Sequence, residues 1–128
     1  MKWLAFGPAL AWGAFVLWLG SRSWDSGLRD WPLEWQPGDK LLHFGVYGVL
    51  GALLAWGWRR ARRRPAASWL IAGGILLGAV DEWQQRFVPG RSSDIMDWLV
   101  DALAVSGIFL VFRLASREAR NPTESRSS

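Results

Sequence analysis

The sequence predicts an all-α fold, an integral membrane four-helix bundle with its N and C termini in the cytoplasm. Three observations support this prediction: four apolar segments, tryptophans near the ends of those segments, and arginines concentrated in two of the connections. The chain has 128 residues, enough for one domain, of which 51% are hydrophobic and 11 are tryptophan. It has no cysteine and one histidine. Disulfides, sulfur-based zinc sites and multi-histidine metal sites are therefore excluded.

The first two predicted helices span residues 3–20 and 40–58. Residues 3–20 contain no charged residue, and at about 1.5 Å per residue they make roughly 27 Å of helix, close to the ~30 Å apolar thickness of a bilayer. The second segment has a similar pattern and leads into an arginine cluster at residues 59–64. A cleaved signal peptide is the alternative for the first helix, but Gly20-Ser21-Arg22-Ser23 is a poor cleavage site.

The third and fourth helices, predicted over residues 66–87 and 97–115, carry acidic residues into the edge of the membrane. Without these residues, the uncharged part of each segment is shorter than the roughly 20 residues that a membrane span needs. Each helix must therefore include two carboxyl groups near the same membrane interface. These residues are Asp81, Glu82, Asp97 and Asp101.

Together the four helices predict one transmembrane domain, residues 1–116, followed by a polar tail, residues 117–128, that is expected to be disordered in the cytoplasm. A soluble helical bundle is the alternative. Tryptophans near the predicted helix ends favour the membrane, because tryptophan collects at membrane interfaces.

The arginine distribution predicts the orientation. The connection at residues 59–64 holds five arginines and no acidic residue, and the C-terminal tail is also rich in arginine, so both are expected in the cytoplasm. The connections at residues 21–39 and 81–97 hold more carboxylates than arginines and are expected to face outward. Nucleic-acid binding by the arginines is the alternative. No nucleic-acid partner is expected, because a short turn between two spans has little reach.

Glycine spacing predicts where the helices pack. Gly45, Gly48 and Gly51 recur every three residues in the second helix, and Gly74 and Gly78 lie four apart in the third. Small residues at such spacings let neighbouring backbones approach closely in membranes.

Polar residues converge on the outward end of the predicted bundle. In the second helix Asp39, His43 and Tyr47 are spaced four residues apart with Lys40 beside them, so they share one stripe of the helix. The end of the third helix and the start of the fourth bring more carboxyl groups to the same end. One explanation is a structural ion-pair network. The other is a polar pocket, because ionisable groups within a membrane are candidates for function.

Two motifs lie at this end of the predicted bundle. They are Asp39-Lys40-x-x-His43-Phe44-x-x-Tyr47-x-x-Leu50 and Asp81-Glu82-x-x-Gln85-x-Phe87-x-Pro89-Gly90-Arg91, followed by Asp97. These motifs resemble those of the VanZ-like family of small bacterial membrane proteins. The resemblance covers about residues 39–107 and departs from the family pattern where Asn and Gly are replaced by Asp101 and Ala104. It implies a multi-pass protein of the cytoplasmic (inner) membrane of a bacterium. The family is named for a protein associated with teicoplanin resistance, so the resemblance also points to an effect on glycopeptide susceptibility.

The chemistry of the pocket favours an anionic envelope lipid or a lipid-linked cell-wall precursor as the partner. Basic residues would hold its phosphate. If a phosphoryl or acyl group is transferred, His43 or Glu82 is the best general base and Lys40 or Arg91 the best charge stabiliser. No serine or cysteine has a nucleophile signature around it, so catalysis is left open. The candidate catalytic residues are Glu82, His43 and Asp97, and the candidate ligand-binding residues are Asp39, Lys40, Tyr47, Gln85 and Arg91.

Other functions stay open on these residues. No cofactor is expected from a motif, although His43, Glu82 and Asp97, with Asp39, are suitable ligands for a divalent cation. A proton relay through the carboxylates is weakened by the lack of polar residues on the inner halves of the helices. A non-catalytic structural or partner subunit of a membrane complex is the remaining alternative. The sequence predicts no particular oligomeric state.

Overall fold

The computed structural model describes residues 4–22, 36–89 and 93–119, with the side chains of the middle segment described from residue 40 onward. A short 3₁₀ helix, Leu4–Phe6, leads into α1, and no strand occurs in these ranges. The described part of the chain is therefore all-α with four α-helices. They are α1 (Gly7–Gly20), α2 (Gln36–Arg60), α3 (Ala67–Gln85) and α4 (Ile95–Glu118).

Local sequence signals explain several helix ends. A proline occupies the first turn of α1, where a missing backbone N–H has no cost. The side chain of Asp94 caps α4 by accepting a hydrogen bond from the Met96 backbone N–H, with the nitrogen and oxygen 2.9 Å apart. α3 ends at Gln85, two residues before the predicted end. α4 continues to Glu118, so residues 117 and 118 are helical, whereas residues 120–128 of the predicted disordered tail lie outside the described residues.

The four helices run alternately between the same two ends of the molecule. Gly57, near the end of α2, lies against Ala5 at the start of the chain. At the other end, Gly20 of α1 packs directly against Asp81 of α3. Lys40 in α2 meets Asp94 and Asp97 at the start of α4 here too. We call this end the carboxylate end, and the end with the arginines of residues 59–64 the arginine end.

Glycines allow α4 to pack closely against α2 and α3, as at Gly51 and Gly78. A Cβ added at Gly51 would lie 2.7 Å from the carbonyl oxygen of Val105, so the backbones of α2 and α4 touch there. Gly78 of α3 similarly leaves room for Asp101 of α4, whose Cβ would be 3.3 Å away from an added Cβ. Gly45 has nothing within 4 Å of such an atom, so its predicted packing role is wrong. The six residues from Gly45 to Gly51, at about 100° each, place the two on different faces of α2.

The exterior of the helices is strongly apolar. Buried residues such as Leu50, Val105 and Phe109 form a small core, while Leu76 and Leu103 are 65% and 70% exposed. Two helical stretches, Lys40–Arg60 and Ile95–Glu118, are long and apolar enough to cross a membrane. Leu4–Gly20 is a shorter apolar helix. Of the four predicted spans, length and composition therefore support two as candidate membrane spans.

Candidate ligand site at the carboxylate end

Polar side chains from three helices meet at the carboxylate end, and we call them the polar cluster. α2 contributes one face, the last turns of α3 contribute a second group, and the start of α4 contributes the third. Seven of these side chains are buried although they carry polar or charged groups. The cluster consists of Lys40, His43, Tyr47, Asp81, Glu82, Gln85, Asp94, Asp97 and Asp101, and the seven buried members are His43, Tyr47, Asp81, Glu82, Gln85, Asp97 and Asp101.

The innermost contact joins His43 to Asp101. The imidazole Nδ1 lies 3.0 Å from Asp101 Oδ1, and Asp101 has no exposed surface. The contact orients the ring, and with Asp101 ionised its carboxylate accepts a hydrogen bond from Nδ1–H. Asp101, one of the departures from the family pattern, therefore acts as the orienting partner of His43.

Glu82 is held by the backbone of the next helix. Its Oε2 accepts a hydrogen bond from the backbone N–H of Asp94, with 3.0 Å between nitrogen and oxygen. This N–H belongs to the residue that caps α4, where unpaired donors favour an anionic partner. The other oxygen, Oε1, is buried and has no hydrogen-bond partner among the described residues. Glu82 is therefore fixed on one side and unsatisfied on the other.

Lys40 lies at the outer edge of the cluster and bridges two carboxylates. Its Nζ is 2.8 Å from Asp97 Oδ1 and 3.1 Å from Asp94 Oδ2. The Lys40 side chain is 33% exposed, whereas that of Asp97 is only 7% exposed. The Met96 backbone hydrogen bond and the Lys40 ammonium both lower the pKa of Asp94 below its usual range. Lys40 is thus already engaged by carboxylates.

Deeper in the molecule, Tyr47 connects the cluster to α3 and α1. Its hydroxyl donates to Asp81 Oδ2 at 3.3 Å, and its ring is parallel to the His43 ring with 6.5 Å between centroids. Gln84 Nε2 donates to the Leu17 carbonyl oxygen at 2.6 Å and to Asp81 Oδ1 at 3.4 Å. These contacts fix the side of the cluster that lies against α3 and α1.

The structure brings together the three predicted catalytic residues, His43, Glu82 and Asp97. Each offers one ligand atom, and these atoms lie within 4.8 Å of one another. The predicted ligand-binding residues Lys40, Tyr47 and Gln85 belong to the same cluster, with the Gln85 side chain buried at the end of α3. The Asp39 side chain and the whole of Arg91 lie outside the described residues.

Four residues of the cluster region, Asp81, Gln84, Asp94 and Asp101, were not among the predicted site residues. Asp94 both caps α4 and pairs with Lys40, and the sequence signal for the first role is its position directly before the apolar run of α4. Gln84 bonds to α1, a contact that no motif indicates. Arg86, directly after α3, is exposed. Its Nε donates to Ser93 Oγ at 3.2 Å, and none of the salt bridges found among the described residues includes it.

The fold and the cluster together define a class: a small all-helical protein with an apolar exterior and buried polar side chains at one end. The model of one family, described as VanZ/LLP1, matches residues 4–116, nearly the whole chain. The chain therefore belongs to the VanZ-like family, as the sequence motifs predict. No curated protein and no solved structure matches this chain. Family membership and the two long apolar helices suggest a membrane protein.

Proposed function

We propose that this chain is a multi-pass protein of the bacterial cytoplasmic membrane whose polar cluster binds a phosphate-bearing headgroup. The headgroup belongs to an envelope lipid or a lipid-linked cell-wall precursor. The observation that carries the proposal is the burial of His43, Glu82 and Asp97, drawn from three helices, at one end of an apolar exterior. Burying ionisable groups in such a place is costly, and a ligand site is a reason to retain them.

All four helices cross the bilayer in this proposal. α2 and α4 are candidate spans by length and composition. The contacts of Gly57 with Ala5 and of Gly20 with Asp81 indicate that α1 runs between the same two ends. α3 begins shortly after the arginine cluster and ends in the polar cluster, so it too covers this length. Exposed side chains such as Trp69, 77% exposed, would then contact lipid tails or headgroups.

The arginine end would face the cytoplasm and the carboxylate end the outer leaflet. Arg59, Arg60 and the arginines at 62–64 form a cluster with no acidic residue, as expected of a cytoplasmic connection. Both termini then lie inside. The polar cluster becomes accessible to lipids and lipid-linked precursors on the outer side, and Lys40, one-third exposed, lies at its entrance.

Native mass spectrometry of protein extracted gently from its membrane tests this proposal. A discrete adduct whose mass identifies a phospholipid or a lipid-linked sugar is expected on the wild type and should be lost in Glu82→Gln. Glu118→Gln makes the same chemical change at the last residue of α4, at the opposite end, and should keep the adduct. An adduct retained equally by all three proteins, or absent from all three, contradicts the proposal.

A structural role in a larger membrane complex is the second candidate function. The observation that favours it is the set of ion pairs in the cluster, Lys40 with Asp94 and Asp97, and His43 with Asp101. In that case the cluster fastens α2 to α4 and a protein partner carries the function. Wild-type protein without any adduct, with a cluster variant that only unfolds earlier, would support this candidate.

An effect on teicoplanin susceptibility is a further part of the proposal that rests on the family alone. Expression of the wild type in a susceptible bacterium should raise the inhibitory concentration of teicoplanin, and Glu82→Gln should not. An equal inhibitory concentration with the wild type, the variant and an empty vector would remove this part of the proposal.

A further inference from the structure

The polar cluster has an excess of negative charge that does not suit direct phosphate binding. Among the described residues it contains five carboxyl groups, on Asp81, Glu82, Asp94, Asp97 and Asp101. The lysine at its edge is already shared between two of them, at 3.1 and 2.8 Å. An anionic headgroup brought to these carboxylates would be repelled unless a cation lay between them.

The three residues at the centre of the cluster have the donor atoms that a divalent cation prefers. His43 supplies an imidazole nitrogen, and Glu82 and Asp97 supply carboxylate oxygens, all within 4.8 Å of one another. Octahedral coordination with bonds of about 2.1 Å separates ligand atoms by about 3 to 4.2 Å. Small side-chain rotations would therefore bring the three atoms to coordination distance.

An unsatisfied oxygen is the second observation that points to a cation. Glu82 is 7% exposed, and its Oε1 is buried without a hydrogen-bond partner among the described residues. Its other oxygen is fixed by the Asp94 backbone N–H, so the carboxylate cannot simply turn outward without losing that bond. A buried carboxylate oxygen without a donor is costly, and a metal ion would satisfy it.

The side chains of Asp101 and Lys40 orient two of the donor residues. Asp101 contacts His43 Nδ1 at 3.0 Å, and in the tautomer in which Nδ1 donates to this carboxylate the lone pair for a metal lies on Nε2. Lys40 holds Asp97 through Oδ1 at 2.8 Å. A histidine with a carboxylate on its second nitrogen is the usual arrangement around protein metal ions. Asp101 would thus be a positioning residue for the cation rather than a ligand.

We propose that His43, Glu82 and Asp97 bind one divalent cation of the Mg²⁺ or Mn²⁺ type, whose remaining positions are filled by water and by a phosphate oxygen of the headgroup. Oxygen-rich donors and one imidazole suit such an ion. This inference deepens the proposed function. The phosphate oxygen among the ligands rests on that function, whereas the cation site itself does not. The ion supplies the positive charge that the paired Lys40 does not.

Manganese binding to the purified protein tests the cation site. After treatment with a chelator and its removal, Mn²⁺ is titrated into detergent-solubilised wild type while electron paramagnetic resonance measures the free ion. One tightly bound Mn²⁺ per chain is expected, and Mg²⁺ should displace it. Glu82→Gln and Asp97→Asn should weaken binding at least tenfold. Asp101→Ala should weaken it by about 10- to 100-fold, with Asp101→Asn much closer to the wild type.

Glu118→Gln is the matched control, because it makes the same chemical change as Glu82→Gln at the last residue of α4, at the arginine end. It should keep wild-type Mn²⁺ affinity. A folded wild type that binds no Mn²⁺ at millimolar concentration would overturn the inference. So would variants of Glu82 and Asp97 that bind as tightly as the wild type, or a Glu118→Gln variant that loses as much affinity as they do.

Native mass spectrometry of chelator-treated protein separates the two proposals. Loss of the phosphate-bearing adduct with the metal, and its return on adding Mn²⁺, is the expected result. An adduct that stays on metal-free protein would overturn the bridging role and leave the proposed function intact. Bound Mn²⁺ with no phosphate-bearing adduct under any condition would contradict the proposed function and leave the cation site standing.

Discussion

The two ends of the molecule differ in how they hold the charges after which they are named. At the arginine end, cationic groups lie over tryptophan rings: Arg60 is 4.6 Å from the centroid of Trp56, and Arg64 and Arg113 lie 4.7 and 5.3 Å from that of Trp58. At the carboxylate end, carboxyl groups are buried and held by directional bonds, as in the 3.0 Å contact between His43 and Asp101.

This difference indicates which charged groups depend on an exact contact geometry. Stacked guanidinium groups tolerate small displacements, since a cation over a ring face has no single required geometry. Buried carboxylates tolerate little, because each lost partner leaves an unsatisfied group. Substitutions that remove a hydrogen-bond partner should therefore have large effects on stability at the carboxylate end, whereas loss of a stacked cation at the arginine end should have a small one.

Loss of the carboxylate behind His43 should have the largest effect. Asp101→Ala removes the acceptor for Nδ1 of a buried imidazole, and an unsatisfied buried donor costs about 1–3 kcal/mol, with a further cost for the space left in the core. Thermal or denaturant unfolding in detergent measures the loss. Asp101→Asn keeps an oxygen acceptor, as in the family pattern, and should be much closer to the wild type. Equal stability of the alanine variant and the wild type would show that the contact is dispensable.

The close approach of α2 and α4 should come next. Gly51→Val places side-chain atoms against the Val105 backbone, and overpacking of this kind costs about 1–3 kcal/mol. Gly45→Val, on an open face of the same helix, is the control and should change the free energy of unfolding by much less. If both variants lose the same stability, helix propensity rather than packing explains the result.

Acidification should weaken the outer edge of the carboxylate end. The folded-state pKa of Asp94 is lowered by the Met96 backbone hydrogen bond and by Lys40. Its contribution to stability is therefore fully present above the unfolded-state pKa, near 3.8, and is lost as the pH falls through the lower folded value. Asp94→Asn keeps a good cap but has no charge to lose, so its unfolding temperature should fall less than that of the wild type below about pH 4. Parallel curves for the two proteins would contradict this assignment.

The smallest effect is expected at the arginine end. Arg60→Gln removes one stacked cation near the protein surface, and such contacts contribute about 0.5–1 kcal/mol. The unfolding temperature should shift only slightly, and any adduct found by native mass spectrometry should stay bound. A loss as large as that of Asp101→Ala would remove the distinction between the two ends.

The sequence predicts the helices and the convergence of the site well because both depend on local spacing. His43 and Tyr47 share a helical stripe, and Glu82 and Asp97 lie next to the turn between α3 and α4, so their meeting follows from the helix ends alone. The partners within the cluster do not follow from spacing. The bond from the Asp94 backbone to Glu82 depends on the path of the turn, and that from Gln84 to Leu17 depends on how α1 packs.

Glycine spacing shows the same limit. Gly45 and Gly51 look equivalent in the sequence, yet only Gly51 meets a neighbouring backbone. Which face of α2 is covered depends on α4, a helix more than 40 residues further along the chain. A pattern local to one helix cannot contain that information.

The most direct test of the central claim compares the thermal unfolding of chelator-treated wild type and Glu82→Gln. If the polar cluster is a ligand site, Glu82 is retained for binding at the expense of stability. The glutamine side chain of the variant would keep an oxygen for the Asp94 N–H while removing a buried charge, so the metal-free variant should unfold at the same temperature as the wild type or higher. Added Mn²⁺ should then stabilise only the wild type. A metal-free variant that unfolds several degrees below the wild type would show that the cluster is a structural network.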